Sequence, residues 1–259
     1  MEAIKWKTGI TKVEPNKIVT RGYPQDELIG NVPFSHVVYL ILKGKLPSEN
    51  EGKMIDAILT ACIDHGVTPP SSQAARVVAS GGVPMPTAIA AGLMSIGDFH
   101  GGAIEKGALF LQEGVKRMKE EGKGIEEMAA ILVKESKESK KRILGFGHRI
   151  HTDDPRTKKL LNLAEELGIA KDHVALSKAI AVELEKSLGK KLPINVDGCV
   201  AALISDMDFD WRLGKAFFLI GRAAGLTAQV YEEISREKPM RRMWSADVEY
   251  DGPEERKVE

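Results

Sequence analysis

Apolar residues recur at helical spacing along most of this chain. Val37, Leu40, Ile41 and Gly44 mark one face, and Met54, Ile55, Ala57, Ile58, Ala61 and Cys62 mark another. Ala103 to Glu121 and Ile125 to Lys137 read as amphipathic helices parted by Gly122-Lys123-Gly124. Thr157 to Leu167 and Asp172 to Leu188 repeat the pattern and stop at Gly168 and Gly189. Between Pro86 and Ile96 nearly every residue is small and apolar, and a helix with no polar face is expected to be buried all round. A charged turn at Asp210 opens a further helix that reaches Ser235 and is apolar at Ala216-Phe217-Phe218-Leu219-Ile220. Strand signals are weak: alternating apolar residues from Ile10 to Arg21 predict one short hairpin. There is no βα alternation and no repeat of fixed period. The pattern predicts a mostly α-helical protein, with irregular loops between helices and a charged surface tail from Asp247 to Glu259.

Composition narrows the class. A chain of 259 residues supports one large domain or two small ones. Lys+Arg and Asp+Glu both number 37, so the formal charge is zero and a general nucleic-acid binder is disfavoured. Cys62 and Cys199 are the only cysteines, far apart in apolar surroundings, which predicts two buried free thiols in a reducing compartment. No apolar run approaches the ~20 residues of a membrane span. Met1 to Lys7 reads as too polar for a signal peptide. The expectation is a cytoplasmic protein that contacts neither membrane nor nucleic acid.

Three segments set an ionisable side chain beside glycines or at a strand-like turn: Gly97-Asp98-Phe99-His100-Gly101-Gly102-Ala103, Gly145-Phe146-Gly147-His148-Arg149 and Asn195-Val196-Asp197-Gly198. Two imidazoles and a carboxylate suit proton transfer between carbon and oxygen. His100 follows an apolar helix; it either caps that helix or meets a ligand across Gly101-Gly102. Gly145-Phe146-Gly147 lacks the third glycine of a dinucleotide fingerprint, since Ile150 stands in its place. It reads instead as a tight loop whose N–H groups face a ligand, with Lys140, Lys141 and Arg142 beside it for phosphates or for solvent. His151 lies three residues after His148, but no nearby carboxylate or thiol completes a metal set. Asp197 is either an N-cap or a carboxylate in a poorly solvated cleft, where its pKa would rise. Arg156 in Asp154-Pro155-Arg156, Arg222 in Gly221-Arg222-Ala223, Arg76 in Ala75-Arg76-Val77 and the Arg241-Arg242 pair are cations that need partners. Those partners are either internal carboxylates or a ligand carrying several carboxylates.

In this order the motifs resemble the citrate synthase superfamily over nearly the whole chain. Thr20-Arg21-Gly22-Tyr23-Pro24 and the run from Val38 to Pro47 are similar to its early Arg-Gly-Tyr-Pro and Tyr-Leu-Leu-Leu-x-Gly-x-Leu-Pro segments. Phe99-His100-Gly101-Gly102-Ala103, Gly145-Phe146-Gly147-His148 with Asp154-Pro155-Arg156, and Asn195-Val196-Asp197 resemble its three site motifs. The chain is shorter than a typical citrate synthase at the N-terminal end. Gly198-Cys199 stands where an aromatic pair usually follows the Asp. Asp64-His65-Gly66, Ser95-Ile96-Gly97-Asp98 and Asn195-Val196-Asp197-Gly198 are similar to the citryl-CoA lyase branch, which includes the C-terminal module of ATP-citrate lyase.

The resemblance implies an all-α, two-domain fold shortened at the N-terminus, with residues 1–102 and 211–259 as a large domain and 103–210 as a small one. It implies cleavage of citryl-CoA to acetyl-CoA and oxaloacetate in a homodimer or higher homo-oligomer. His148 would serve the oxygen of the oxaloacetate part, Asp197 the acetyl carbon, and His100 the thioester oxygen. Arg156, Arg222 and Arg242 would hold carboxylates, Arg242 from the other subunit, with Arg76 a further candidate. Lys140, Arg142, Gly145, Phe146, Gly147, Lys190 and Lys191 are the candidates for coenzyme A, which enters as part of the substrate. No metal and no tightly bound cofactor is expected. The alternatives are a citrate synthase, which also hydrolyses the thioester, a non-catalytic acyl-CoA-binding subunit, and a nucleotide-dependent oxidoreductase. The three retained groups speak against the scaffold, and the missing glycine speaks against the oxidoreductase.

Overall fold

The computed structural model describes residues 6–147, 154–241 and 248–258. Its secondary structure is helical apart from a small three-stranded antiparallel sheet, β1 (Thr11–Glu14), β2 (Lys17–Thr20) and β3 (Tyr23–Pro24). The predicted hairpin is therefore present, in a register that pairs Thr11 with Thr20 and Glu14 with Lys17.

The chain divides into two compact units. The first comprises Met1–His65 and Ile96–Gly225. Its helices are α1 (Gln25–Leu28), α2 (Phe34–Lys43), α3 (Glu49–Cys62) and, after the segment belonging to the second unit, those that follow Ile96. In the second unit, Gly66–Ser95 and Leu226–Glu259, lie α4 (Pro70–Ser80) and α5 (Met85–Met94). The first unit resumes with α6 (Ala103–Glu120), α7 (Ile125–Glu138), α8 (Pro155–Glu166), α9 (Asp172–Leu188) and α10 (Val196–Asp206). Helix α11 (Gly214–Arg236) begins in the first unit and continues into the second. The expected small domain, 103–210, falls wholly within the first unit.

Local chemistry explains most boundaries. Gly44 takes a left-handed conformation and donates its N–H to the Leu40 carbonyl, which ends α2. Ser48 and Glu51 form a reciprocal capping box at the start of α3. Gly189 closes α9 as Gly44 closes α2. At its other end α9 is capped from a distance: the Asp206 carboxylate accepts from the N–H groups of Lys171, His173 and Val174. Burial works to raise the Asp206 pKa, but the bonds from His173 and from the three amides hold it below the usual value.

The first unit is built around α10. Every residue of that helix is buried except Asp197. It packs against α6, α9 and α8, and a helix without a solvent face fits its sequence from Gly198 to Ile204. The second unit has its own small core of Ala75, Ala79, Ala88, Leu226 and Val230, with Ile89 and Leu93 against it. Helix α5 departs from expectation. Only Ala88 and Gly92 of this helix are buried, and Met94 is 85% exposed. Pro86, Thr87, Ala90 and Met94 are exposed, while Met85, Ile89 and Leu93 pack in part against the core. Cys62 and Cys199 are buried free thiols, as predicted. Residues 248–258 carry no helix or strand and are exposed.

Candidate active site

Asp197 occupies the second position of α10, and the choice between cap and buried carboxylate is settled by its neighbour. Asn195 is the N-cap, its side-chain oxygen accepting from the Gly198 N–H at 3.0 Å. The Asp197 carboxyl is thereby left for other work. The residue keeps some accessible surface but lies deep in the unit, and burial raises its pKa to about 6. The cations Arg156 and Arg222 oppose that rise, and Asp154 adds to it.

The Gly145-Phe146-Gly147 loop is zipped to the segment that leads into α10. Phe146 and Ile194 form an antiparallel bridge. The Gly147 N–H donates to the Pro193 carbonyl at 2.7 Å, and the Asn195 N–H to the Gly145 carbonyl at 3.0 Å. Gly145 and Gly198 touch through their backbones. A Cβ on Gly198 would lie 2.3 Å from the Gly145 carbonyl oxygen, and one on Gly145 would lie 2.6 Å from the Gly198 Cα. Glycine at both positions is a consequence of this close approach.

Arg156 opens α8. Its Nε and Nη2 fork onto the Asp154 carboxylate at 3.1 and 2.8 Å, while that carboxylate also caps the helix through the Arg156 N–H. Arg222 is 2% exposed. Its Nε donates to the Cys62 carbonyl at 3.0 Å, and its guanidinium lies 4.7 Å from the centre of the Phe218 ring. Burial lowers the Arg222 pKa, against the pull of Asp64, the Cys62 thiol and Asp197. The same Phe218 ring meets His100 in a T-shaped contact, with centroids 5.5 Å apart. Burial, with Arg222 second, lowers the His100 pKa and favours its neutral form. Asp197 and Arg222 also reach Cys62, whose thiol burial pushes up to about 12. Residues from positions 62, 64, 100, 154, 156, 197, 218 and 222 thus form one electrostatic neighbourhood. It combines a carboxyl that titrates near neutrality, a neutral imidazole donor and two guanidinium groups.

A cavity of about 400 Å³ lies beside the Gly145–Gly147 loop, with Ile143, Phe146, Leu184 and Leu192 among its lining. Arg142 and Lys190 line it, joined by Lys137 and Lys141. Lys140 and Lys191 are exposed and do not line it. Gly145 and Gly147 contribute backbone shape to the loop rather than lining. An apolar surface with four cations around it suits a ligand with a flat apolar group and phosphates.

Arg76 belongs to the second unit, and there its guanidinium meets internal partners. Its Nε pairs with Glu233 at 2.8 Å and its Nη1 donates to Gln229 at 2.8 Å. Arg241 holds the same Glu233 through two bonds of 2.7 and 2.6 Å. The charge of Arg76 is taken up by an internal carboxylate 157 residues away in sequence, so no local pattern announced it. His148 and Arg242 lie outside the described residues. Sequence reasoning passed over Phe218 and the role of Asp154. Phe218 had a signal, since it sits one helical turn before Arg222 on the same face.

Comparison with known proteins gives the family. The family model "Citrate synthase, C-terminal domain" matches residues 49–243. A citrate synthase of Helicobacter pylori is 33% identical over 232 residues, covering 86% of this chain and 50% of that one. This chain spans about half the length of the curated relatives it matches. The structure of citryl-CoA lyase from Hydrogenobacter thermophilus is 47% identical, with a TM-score of 0.91, and the match covers 98% of this chain and 97% of that one. ATP citrate lyase of Methanosaeta concilii shares the fold at 23% identity and a TM-score of 0.83, over 98% of this chain and 43% of its own. The mostly helical fold is citrate synthase-like, and the chain belongs to the citrate synthase family.

Proposed function

We propose that this protein cleaves citryl-CoA to acetyl-CoA and oxaloacetate at a site formed by His100, His148 and Asp197. The observation that carries the reading is Asp197, the one residue of α10 that is not buried, with a pKa of about 6 beside two arginines. Such a carboxyl can exchange a proton with carbon near neutral pH. The end-to-end likeness to a citryl-CoA lyase supports cleavage as the reaction.

In this mechanism His148 takes the proton of the citryl hydroxyl. The carbon–carbon bond breaks, the oxygen becomes the ketone of oxaloacetate, and the bonding pair passes into the thioester as an enolate. His100 donates a hydrogen bond to the enolate oxygen; its neutral form is the right donor for that task. Asp197 delivers its proton to the enolate carbon, which becomes the acetyl methyl group. Arg156, Arg222 and, from a second subunit, Arg242 hold the carboxylates. Asp154 fixes the Arg156 fork by Nε and Nη2, which leaves Nη1 for the ligand. Arg142 and Lys190, extended by Lys137 and Lys141, take the coenzyme A moiety over Phe146. The uncovered apolar surface of α5 supports a homodimer. We retain 103–210 as the small domain and a cytoplasmic location as parts of this reading.

The second reading is a citrate synthase, favoured by the 33% identity to the Helicobacter pylori enzyme. Supplying citryl-CoA and following oxaloacetate by coupled reduction, and free thiol with a colorimetric reagent, separates the two. Oxaloacetate should form faster than thiol. Dominant thiol release, whether from citryl-CoA or from acetyl-CoA with oxaloacetate, would identify a short synthase instead.

A further inference from the structure

We infer that Asp98 is a positioning residue whose carboxylate anchors the loop carrying His100 to the starts of α6 and α11, a role that rests on the function proposed above. The loop, residues 97–102, is a tight turn. The His100 and Gly102 N–H groups both donate to the Gly97 carbonyl, each at 3.0 Å. Gly101 has a φ of +77°, and a Cβ on Gly102 would lie 2.6 Å from the Asp98 Cα, so the turn has no room for a side chain there. Asp98 thus sits against the far end of its own turn, two residues before the imidazole.

The carboxylate divides its oxygens between two helices. Oδ2 accepts from the Lys106 Nζ of α6 at 2.7 Å, and Oδ1 lies 3.7 Å from the Lys215 Nζ of α11. Lys215 also faces Glu105 at 3.6 Å. The two helix starts abut, since a Cβ on Gly214 would lie 2.9 Å from the Glu105 Cα. On α11, Lys215, Phe218 and Arg222 are spaced i, i+3 and i+7 and share one face. Lys215 meets Asp98, Phe218 meets His100, and a Cβ on Gly101 would lie 2.8 Å from the Phe218 ring. The loop is therefore docked along that face at successive points, with Asp98 as its charged end. Apolar contact is non-directional, so Phe218 alone leaves the loop free to slide along the helix. Ion pairs to two different helices remove that freedom. Both groups of the Asp98–Lys106 pair are half-exposed, so the pair adds little to global stability, and position can be separated from folding. Lys106 first, then Lys215, hold the Asp98 pKa below its ordinary value and keep the anchor charged.

Asp98→Asn keeps the shape and removes the charge. We expect an unfolding temperature close to wild type. Its kcat for citryl-CoA cleavage should fall at least about threefold, with KM within about twofold, because misplacing a reacting group affects turnover more than binding. Lys106→Met should lower kcat in the same way, and the double variant no further than the stronger single one, as residues acting through one contact do. Titration of the His100 imidazole by NMR gives a readout independent of catalysis. Burial, with Arg222 second, lowers its pKa. Loss of a nearby carboxylate charge by itself lowers it further, since an anion favours the imidazolium. A loop that moves away from Arg222 and towards water raises it instead. We expect a rise in Asp98→Asn, with faster hydrogen exchange of the His100 and Gly102 amides. A fall or no change in the His100 value, or unchanged exchange, overturns the anchor. A kcat within about threefold of wild type, additive losses in the double variant, or a loss of stability that accounts for the loss of activity overturns the positioning role. A wild-type protein that does not cleave citryl-CoA overturns the functional reading and the positioning role with it, while titration and exchange still decide the anchor.

Discussion

Replacing Asp197 by asparagine should make the protein more stable while removing its turnover. The carboxyl has a pKa of about 6 in the fold against a reference of 3.8. Because the folded value is raised, the unfolded chain ionises first as pH climbs. Well below the reference value both states hold the proton and the group has no effect on stability. Well above the folded value both are ionised, and the native state carries the full cost of a charge in a poorly solvated place. A tenfold difference in proton affinity is worth about 1.4 kcal/mol, so that cost is about 3 kcal/mol at pH 8 and about 1 kcal/mol at pH 4.5. The attraction of Arg156 and Arg222 is already contained in the net shift, since both pull the value down against burial. The sign does not depend on the choice of amide: any neutral side chain of the same shape at this position removes the cost.

The assay is chemical or thermal unfolding of wild type and Asp197→Asn across this pH range, alongside citryl-CoA turnover. At pH 8 the variant should be more stable by about 3 kcal/mol, or roughly 6 °C in a chain of this size. The gain should shrink towards about 1 kcal/mol near pH 4.5. Turnover should fall by ~10²–10⁴-fold. A variant that is less stable than wild type at pH 8, or a gain that does not depend on pH, would refute the reasoning. The first would mean that the fold stabilises the Asp197 charge, the second that its pKa does not differ between the folded and unfolded states.

The remaining expectations concern other parts of the molecule. Gly198→Ala drives a Cβ to 2.3 Å from the Gly145 carbonyl oxygen and should cost about 3 kcal/mol in urea unfolding. Glu233→Gln leaves two guanidinium groups around a 1% exposed position and should cost about 3 kcal/mol or more by the same measurement. Arg142→Ala with Lys190→Ala should raise KM for citryl-CoA about tenfold, with kcat within about twofold and a weaker dependence of KM on salt. Mixing inactive Arg242→Ala and His148→Ala subunits, with exchange verified by mass, should restore partial activity; exchange without recovery would show that each site is built within one chain.

What the sequence reveals and what it hides follow from how local each cause is. Gly44 and Gly189 end their helices through their own backbone conformation, so both stops are legible. The hairpin is legible for the same reason. Asp197 stands out because one carboxylate precedes an unbroken apolar helix. Whether it is a cap is not legible, because Asn195 and Asp197 are both good cap residues; Asn195 serves, and its amide also donates to the Gly147 carbonyl of a distant segment. Arg76 and Arg222 look alike as lone cations in apolar runs. They differ through Glu233 on one side and Cys62, Asp64 and Phe218 on the other, most of them distant in sequence. The apolarity of α5 is legible, but its exposure is not, since that depends on what packs around it rather than on its own residues.

The residue after Asp197 and the path of the Gly145–Gly147 loop are one feature. Gly198 leaves no space for a side chain because the Gly145 backbone occupies it. Filling that space with backbone brings two peptide segments into hydrogen-bonding range, and the Asn195 amide then joins them. A side chain at position 198 would break this contact and force the Gly145–Gly147 loop onto another path. Gly198 therefore sets what stands behind the Asp197 carboxyl and what holds the Gly145–Gly147 loop in place.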